Sequence, residues 1–137
     1  IPYGCMVDEF QHIVYENPDM TPDERHAAWL KLEGEYRPHQ DYGDDRFFGK
    51  GGFWQRQQHI YTSPLYYIDY SLAQSCALQY KVKMDADFEG AWASYLKLCR
   101  LSASDFFTNM IREVGLMSPF EPGCMKNIVE KLEKYVK

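Results

Sequence analysis

Apolar residues recur at intervals of three and four along nearly the whole chain, which is the spacing of a buried stripe on an α-helix. The residues between these stretches are typical of helix ends. Thr21 is a favoured N-cap residue, Pro22 suits the first helical position, and acidic residues follow in the first turn. Any alternation with a period of two is weak beside these signals. The sequence therefore predicts an all-α fold.

The same signals set the expected boundaries of the elements. The predicted helices cover residues 5–16, 22–37, 53–61, 64–84, a segment that starts at Asp87, 104–114 and 125–136. Ser63 and Pro64 are expected to open the longest helix, and Gly115 is expected to end the next to last. Residues 37–52 are polar and Gly-rich, which indicates a loop. The length, with no internal repeat, predicts one domain over 1–137.

The charge balance limits the possible partners. The chain has 15 Lys plus Arg against 20 Asp plus Glu, a net charge of -5 and a pI of about 5.3. An acidic chain lacks the basic surface that non-specific binding to nucleic acid requires, and it is not suited to an anionic membrane. No apolar run approaches the roughly 18 to 20 residues that span a bilayer. We therefore expect neither nucleic acid nor a membrane as a partner.

The cysteines indicate a reducing environment. They are Cys5, Cys76, Cys99 and Cys124. No two are close in sequence, so there is neither a zinc knuckle nor a C-x-x-C redox site. Cys76 and Cys99 lie among apolar residues at helical spacing, and we expect both to be buried thiols. This usage predicts a cytoplasmic location.

Two local patterns resemble functional motifs but have simpler explanations. Glu9 and His12 form one Glu-x-x-His pair, whereas a di-iron bundle needs two such pairs and two further glutamates. A surface pair, or one satisfied on its own helix, is the better interpretation. Residues 49–52 are Gly-rich but have neither the spacing of a phosphate loop nor a preceding strand, so we expect a hinge. His26 and His39 lack partners at metal-ligand spacing and are assigned no role.

One cluster is richer in possible chemistry than any other. It consists of His59, Tyr61, Tyr66, Tyr67 and Tyr70. The last three are spaced so that they can share one side of a helix. Phenols and an imidazole are neutral donors that can stabilise a developing oxyanion. Composition alone favours core packing instead, because aromatic stripes usually pack.

Longer patterns cover most of the chain. They read YGCMVDEFQHxVY over 3–15, MTPxER over 20–25, GGFWQRQ over 51–57, HIY over 59–61, YYIDYxLAQ over 66–74 and GLxSPF over 115–120. In these motifs the chain resembles the oligoendopeptidase F group of zinc metallopeptidases, which are relatives of thimet oligopeptidase. The resemblance implies a multi-helix orthogonal bundle from a zincin-like catalytic domain. It also implies short peptides as substrates, admitted through a deep channel.

The resemblance places the zinc site outside this chain. The family binds zinc through H-E-x-x-H on a helix, with a Glu of a second helix as third ligand. Those ligands precede the region that this chain resembles, and no H-E-x-x-H occurs in its 137 residues. We therefore expect the C-terminal part of a catalytic domain, with zinc in the parent enzyme and none in this chain. An opening at Ile1 without Met fits this expectation, and the missing N-terminal metal-binding portion is the implied partner.

The resemblance also assigns roles to the aromatic cluster. Tyr67 and Tyr70 match the family's Tyr-x-x-Tyr, and His59 matches its loop His. These three would act at the catalytic centre, where one Tyr hydroxyl donates to the oxyanion of the tetrahedral intermediate. Tyr61 and Tyr66 would contact the bound peptide.

Two other functions are compatible with the residues. The chain could be a non-catalytic helical interaction module that holds a partner on an aromatic face. A metal-binding bundle built on Glu9 and His12 is the weakest alternative. If neighbouring helices are missing, the first helix near Val7 and Phe10 and the helix with Tyr66 should expose an apolar patch. Such a patch predicts self-association, most simply as a two-fold homodimer.

This chain alone is expected neither to cleave peptides nor to retain stoichiometric zinc. The reason is that it lacks both H-E-x-x-H and any substitute set of three spaced ligands. Elemental analysis of protein purified without added metal, followed by zinc titration, measures this. Tight one-to-one binding of zinc would contradict the prediction.

Overall fold

The prediction of an all-α fold is confirmed by a computed structural model, which describes residues 1–102 and 104–135. The α-helices are α1 (Pro2–Glu16), α2 (Pro22–Tyr36), α3 (His59–Thr62), α4 (Ile68–Ala86), α5 (Phe88–Leu101), α6 (Phe107–Glu113) and α7 (Cys124–Leu132). Short 3-10 helices occupy Phe48–Lys50, Gly52–Arg56 and Glu133–Tyr135. The described ranges contain no strand. Within them, no helix has both the length and the hydropathy of a membrane span.

The chain divides into two compact units, residues 1–71 and 72–137. The division falls within α4, so the first turn of this helix belongs to the first unit.

The first unit is built around an aromatic core. Its buried residues are Met6, Val7, Phe10, Trp29, Leu32, Trp54 and Ile60. Trp29 is fully buried, with the Phe10 ring edge-on at 5.1 Å and Phe53 stacked at 6.3 Å. The expectation that Val7 and Phe10 lie in an exposed patch is wrong, because α2 and the segment from Gly52 cover this face of α1 from within the same chain.

The start of α2 matches the sequence prediction. The Thr21 hydroxyl accepts from the backbone N–H of Glu24 at 3.3 Å, and the Glu24 carboxylate accepts from the backbone N–H of Thr21 at 2.7 Å. This reciprocal pair is a capping box, and it satisfies two backbone donors that the first turn would otherwise leave unpaired. The pKa of the Glu24 carboxyl is lower than usual, mainly because it accepts the backbone N–H of Thr21 and secondly because it bonds the Thr21 hydroxyl.

The segment predicted as one helix over 53–61 is broken. A 3-10 helix covers Gly52–Arg56, Gln57 leaves the helical region with φ -80° and ψ 89°, and α3 then begins at His59. Before it, Gly51 has φ 89°, and a Cβ at this position would overlap the carbonyl of His26. Only glycine allows this close approach of the backbone. The break itself lies at Gln57, whose N–H closes a turn on the carbonyl of Trp54 at 2.9 Å.

The long helix predicted from residue 64 begins only at Ile68. Ser63 and Pro64 instead form a turn that the N–H of Tyr66 closes on the Ser63 carbonyl at 3.2 Å. Leu65 in this turn has φ 59°, a left-handed conformation that is costly for a residue with a Cβ. Tyr66 therefore precedes α4 instead of lying on it.

A buried amide explains why the turn persists. Gln11 on α1 is fully buried, and its Oε1 accepts from the N–H of Leu65 at 2.9 Å. Its Nε2 donates to the carbonyl of Val7 at 3.2 Å. Gln11 thus satisfies a backbone donor that the turn exposes, and it fixes the chain directly before the tyrosines.

The second unit contains the remainder of α4, with α5, α6 and α7. Its core consists of Cys76, Tyr80, Ile111, Val114 and Leu116. Cys76 is buried as predicted, whereas Cys99 is exposed and that prediction is wrong. The inward face of α5 carries Ala91 and Leu98, and Cys99 lies on a neighbouring face, one turn after the exposed Tyr95. All four cysteines are free.

The helix ends of the second unit follow the predictions in part. Asp87 caps α5 by accepting from the N–H of Gly90, and Gly115 ends α6 with φ 72°. The sequence predicts that α6 starts at residue 104. It starts instead at Phe107, because Asp105 accepts from the N–H of Phe106. The last predicted helix, 125–136, is α-helical only to Leu132 and continues as a 3-10 turn to Tyr135. Val136 lies outside the described residues.

Thr21→Ala is expected to lower the free energy of unfolding by about 1 kcal/mol, the usual effect of losing an N-cap. Thr21→Ser keeps the hydroxyl and serves as the control, with little change expected. Urea denaturation followed by circular dichroism measures both. Equal stability of the alanine variant and the wild type would contradict the role of the cap.

Gln11→Met is expected to lower the free energy of unfolding by about 1 kcal/mol, because it removes the acceptor of the partly buried N–H of Leu65. Gln74→Met makes the same change at an exposed position of α4 and is the control. Chemical denaturation compares the two variants. Similar effects at both sites would show that the buried bond is not important.

Candidate functional site

The structure brings four of the five predicted site residues together in the first unit. His59 begins α3, Tyr66 and Tyr67 directly precede α4, and Tyr70 lies in its first turn. The ring centre of His59 lies 4.9 Å from that of Tyr67, 5.7 Å from that of Tyr70 and 6.3 Å from that of Tyr66. The Tyr70 ring also meets Tyr66 at 5.6 Å and Tyr67 at 5.1 Å. We refer to these four residues as the tyrosine cluster.

The tyrosine cluster is open on one side. Tyr66 is 48% exposed and Tyr70 is 50% exposed, so core packing does not account for these two side chains. Tyr67 is half-buried, and the ring of Tyr3 meets it edge-on at 5.8 Å. The pKa of Tyr70 is raised, mainly by partial desolvation and secondly by the neighbouring Tyr66. The Tyr70 hydroxyl therefore keeps its proton at neutral pH and can donate it.

Hydrogen bonds hold the imidazole of His59 on both sides. The Nδ1 atom lies 2.6 Å from Nε2 of Gln57, and the Nε2 atom lies 3.4 Å from the hydroxyl of Tyr70. On its far side, Gln57 accepts from the hydroxyl of Tyr3 at 2.9 Å. The cluster thus combines an imidazole and three phenols, none of which carries a fixed charge.

Tyr61 does not join the tyrosine cluster. It stacks on Trp54, with ring centres 6.0 Å apart, and it is 56% exposed. Desolvation raises the pKa of Tyr61, and the positive charge of Arg25 opposes the shift. This side chain can contact a ligand on the surface of the first unit, but it lies apart from His59.

The Glu9 and His12 pair is satisfied by neighbours, as the sequence interpretation expects. Glu9 accepts from the hydroxyl of Tyr36 at 2.5 Å, and Nε2 of His12 lies 3.5 Å from a carboxylate oxygen of Asp8. Among residues 1–102 and 104–135, no group of three His, Cys, Asp or Glu could hold a metal ion. The side chains described here do not fit a zinc site.

Sequence reasoning missed two residues that organise the site. Gln57 contacts His59 directly, and Gln11 fixes the turn before Tyr66. Glutamine is usually a surface residue, and neither glutamine suggests chemistry of its own. Each also bonds a partner 54 residues away, Tyr3 for Gln57 and Leu65 for Gln11, which local patterns do not show.

Comparison with known proteins supports the resemblance found in the motifs. No family model matches the chain, and no curated protein matches it either. A solved structure of PZ peptidase A with an inhibitor is 50% identical, with a TM-score of 0.92 over 98% of this chain and 24% of that chain. A structure assigned as an oligoendopeptidase F is also 50% identical, with a TM-score of 0.93 and the same coverage.

A third structure extends the comparison to a more distant relative. It is assigned as an oligoendopeptidase F from Bacillus anthracis and is 38% identical, with a TM-score of 0.76 over 98% of this chain and 21% of that chain. The chain spans about a quarter of the length of the structures it matches. Over nearly all of its own residues, the chain is therefore homologous to one segment of the oligoendopeptidase F peptidases.

Proposed function

We propose that this chain is the C-terminal part of the catalytic domain of a zinc-dependent oligoendopeptidase that hydrolyses short peptides. In this proposal the chain supplies groups that bind the peptide and stabilise the oxyanion. The observation that carries the proposal is the open tyrosine cluster, set in a fold homologous to a peptidase segment. The zinc belongs to the missing N-terminal metal-binding portion, which is the proposed partner.

Tyr70 is the best placed of the phenols to meet an oxyanion. It lies on the first turn of a long helix, its side chain is half exposed, and its ring contacts the other three members of the cluster. A neutral donor held in this way can stabilise negative charge that develops in a transition state. We assign this role to Tyr70, with His59 and Tyr67 beside it at the catalytic centre.

The remaining aromatic residues suit the peptide itself. Tyr66 lies parallel to the His59 ring and is exposed, and Tyr61 offers a second exposed ring on Trp54. We assign both to substrate binding, since amphipathic rings bind backbone and side chains with little loss of entropy. From the four free cysteines we further infer a cytoplasmic location.

One observation favours the alternative of a helical interaction module. Phe88, Trp92 and Tyr95 form a stacked, exposed stripe on α5, with ring centres 6.4 Å and 5.6 Å apart. Such a surface can hold a protein partner. The predicted two-fold homodimer would instead use the exposed tyrosine cluster. The reading frame upstream of Ile1 separates the functions, because an encoded H-E-x-x-H supports the peptidase and a start near Ile1 favours the module.

Tyr70→Phe in the full-length enzyme is expected to lower kcat by on the order of 100-fold or more while KM changes little, because the lost donor acts on the transition state. His59→Ala is expected to lower kcat and also to raise KM, since the imidazole helps to position the peptide. Steady-state hydrolysis of a fluorogenic peptide measures both.

Tyr36→Phe removes a hydroxyl that donates to Glu9, outside the tyrosine cluster, and is the matched control. It is expected to leave both constants unchanged. Normal turnover of Tyr70→Phe would move the oxyanion role to Tyr67 or Tyr66, or remove it from this part of the chain.

A further inference from the structure

A relay of side-chain hydrogen bonds links the packed part of the first unit to the tyrosine cluster. It runs from the hydroxyl of Tyr3 to Oε1 of Gln57 at 2.9 Å, and from Nε2 of Gln57 to Nδ1 of His59 at 2.6 Å. It ends at the hydroxyl of Tyr70, 3.4 Å from Nε2 of His59. One imidazole therefore lies between an amide and a phenol, and its two nitrogens have different partners.

Tyr3 fixes the orientation of the Gln57 amide. Burial first, and the neighbouring Tyr67 second, raise the pKa of Tyr3 to about 12, so the phenol stays protonated. Its hydroxyl donates to the amide oxygen of Gln57, and the amide nitrogen faces the other way, toward His59. The Tyr3 ring is itself held, with Trp29 edge-on at 6.3 Å and Tyr67 at 5.8 Å.

The backbone of Gln57 is also fixed. Its N–H donates to the carbonyl of Trp54 at 2.9 Å, and its carbonyl accepts from the N–H of Ile60 at 3.1 Å. The side chain therefore starts from a defined position at the break between the 3-10 helix Gly52–Arg56 and α3. A glutamine held at its backbone and at its amide oxygen has little freedom to turn its nitrogen away from His59.

The chemistry of the amide then decides the state of the imidazole. An amide nitrogen donates and does not accept, so Nδ1 of His59 must be the acceptor. A neutral imidazole with Nδ1 unprotonated carries its proton on Nε2, which faces Tyr70.

We propose that Gln57 is a positioning residue that holds His59 in the tautomer protonated at Nε2. His59 then donates to the oxygen of Tyr70, so the hydroxyl proton of Tyr70 is directed away from His59, toward the neighbouring Tyr66 or a ligand. Donation into a phenol oxygen polarises its O–H bond and makes it a better donor in turn. The tautomer is a property of this chain alone, whereas its use on a peptide oxyanion rests on the proposed function.

Gln57→Glu reverses the arrangement with almost no change of shape. A carboxylate only accepts, so it selects the proton on Nδ1 and leaves Nε2 of His59 as an acceptor. The hydroxyl of Tyr70 would then donate to His59 instead of outward. The next residue, Gln58, is exposed, so Gln58→Glu adds the same charge outside the relay and is the matched control.

The tautomer can be measured on the chain itself by long-range proton–nitrogen NMR of ¹⁵N-labelled protein. At about pH 9 free imidazoles are neutral, and His59→Gln identifies the His59 signals among those of the four histidines. We expect a protonated Nε2 and an unprotonated Nδ1 in the wild type and in Gln58→Glu, and the reverse in Gln57→Glu. A wild-type His59 protonated at Nδ1, or an unchanged pattern in Gln57→Glu, would overturn the proposal. If Gln57→Glu fails to fold, the wild-type spectrum decides alone.

Kinetics of the full-length enzyme separate this inference from the proposed function. We expect Gln57→Glu to lower kcat with little change in KM, and we expect the double variant with Tyr70→Phe to lose no more than Tyr70→Phe alone. A Tyr70→Phe enzyme with normal turnover contradicts the oxyanion role proposed for Tyr70 and leaves the NMR result standing. A Tyr70→Phe loss without any Gln57→Glu loss contradicts the positioning role.

Discussion

The hydrogen bond from the N–H of Leu65 to the buried amide of Gln11 determines where the candidate site lies. It joins α1 to a turn 54 residues further along the chain, and it supplies an acceptor for a backbone donor in a left-handed conformation. Without it, the partly buried N–H of Leu65 would lose its acceptor, at a cost of about 1 kcal/mol. Because the turn is held, Tyr66 and Tyr67 leave it toward His59 before α4 begins.

The same first helix supports the site in a second way. Phe10 packs into the aromatic core around Trp29, and Tyr3 reaches Gln57 at the other end of the relay. Gly4 lets the start of α4 approach closely, since a Cβ there would overlap the side chain of Ser71. The open cluster thus rests on side chains that are already packed, and preorganised donors of this kind need no rearrangement to meet developing charge.

Short sequence patterns predicted the features that depend only on residues close together in the chain. The Thr21 N-cap of α2, the start of α5 at Asp87 and the composition of the tyrosine cluster were all visible in the sequence. The late start of α4 was not, because Ser63 and Pro64 are as typical of a turn as of a helix start, and the buried Gln11 decides between them. Long-range contacts of this kind produce no periodic pattern in the sequence.

Other differences have the same origin. The burial of Val7 depends on cover from α2. Cys99 has apolar neighbours in the sequence, but it lies outside the inward face of α5. In each case the sequence predicted the element, and tertiary packing set its boundary or the face that it buries.

The most direct test of the account is a crystal structure of the full-length enzyme with a bound tetrahedral analogue of peptide hydrolysis. The account predicts that the hydroxyl of Tyr70 lies about 2.7 Å from the oxygen that represents the oxyanion, within hydrogen-bond distance. It also predicts that His59 lies against Tyr70, with Gln57 behind it. A Tyr70 hydroxyl that points away from the analogue, with another donor in its place, would contradict the central claim.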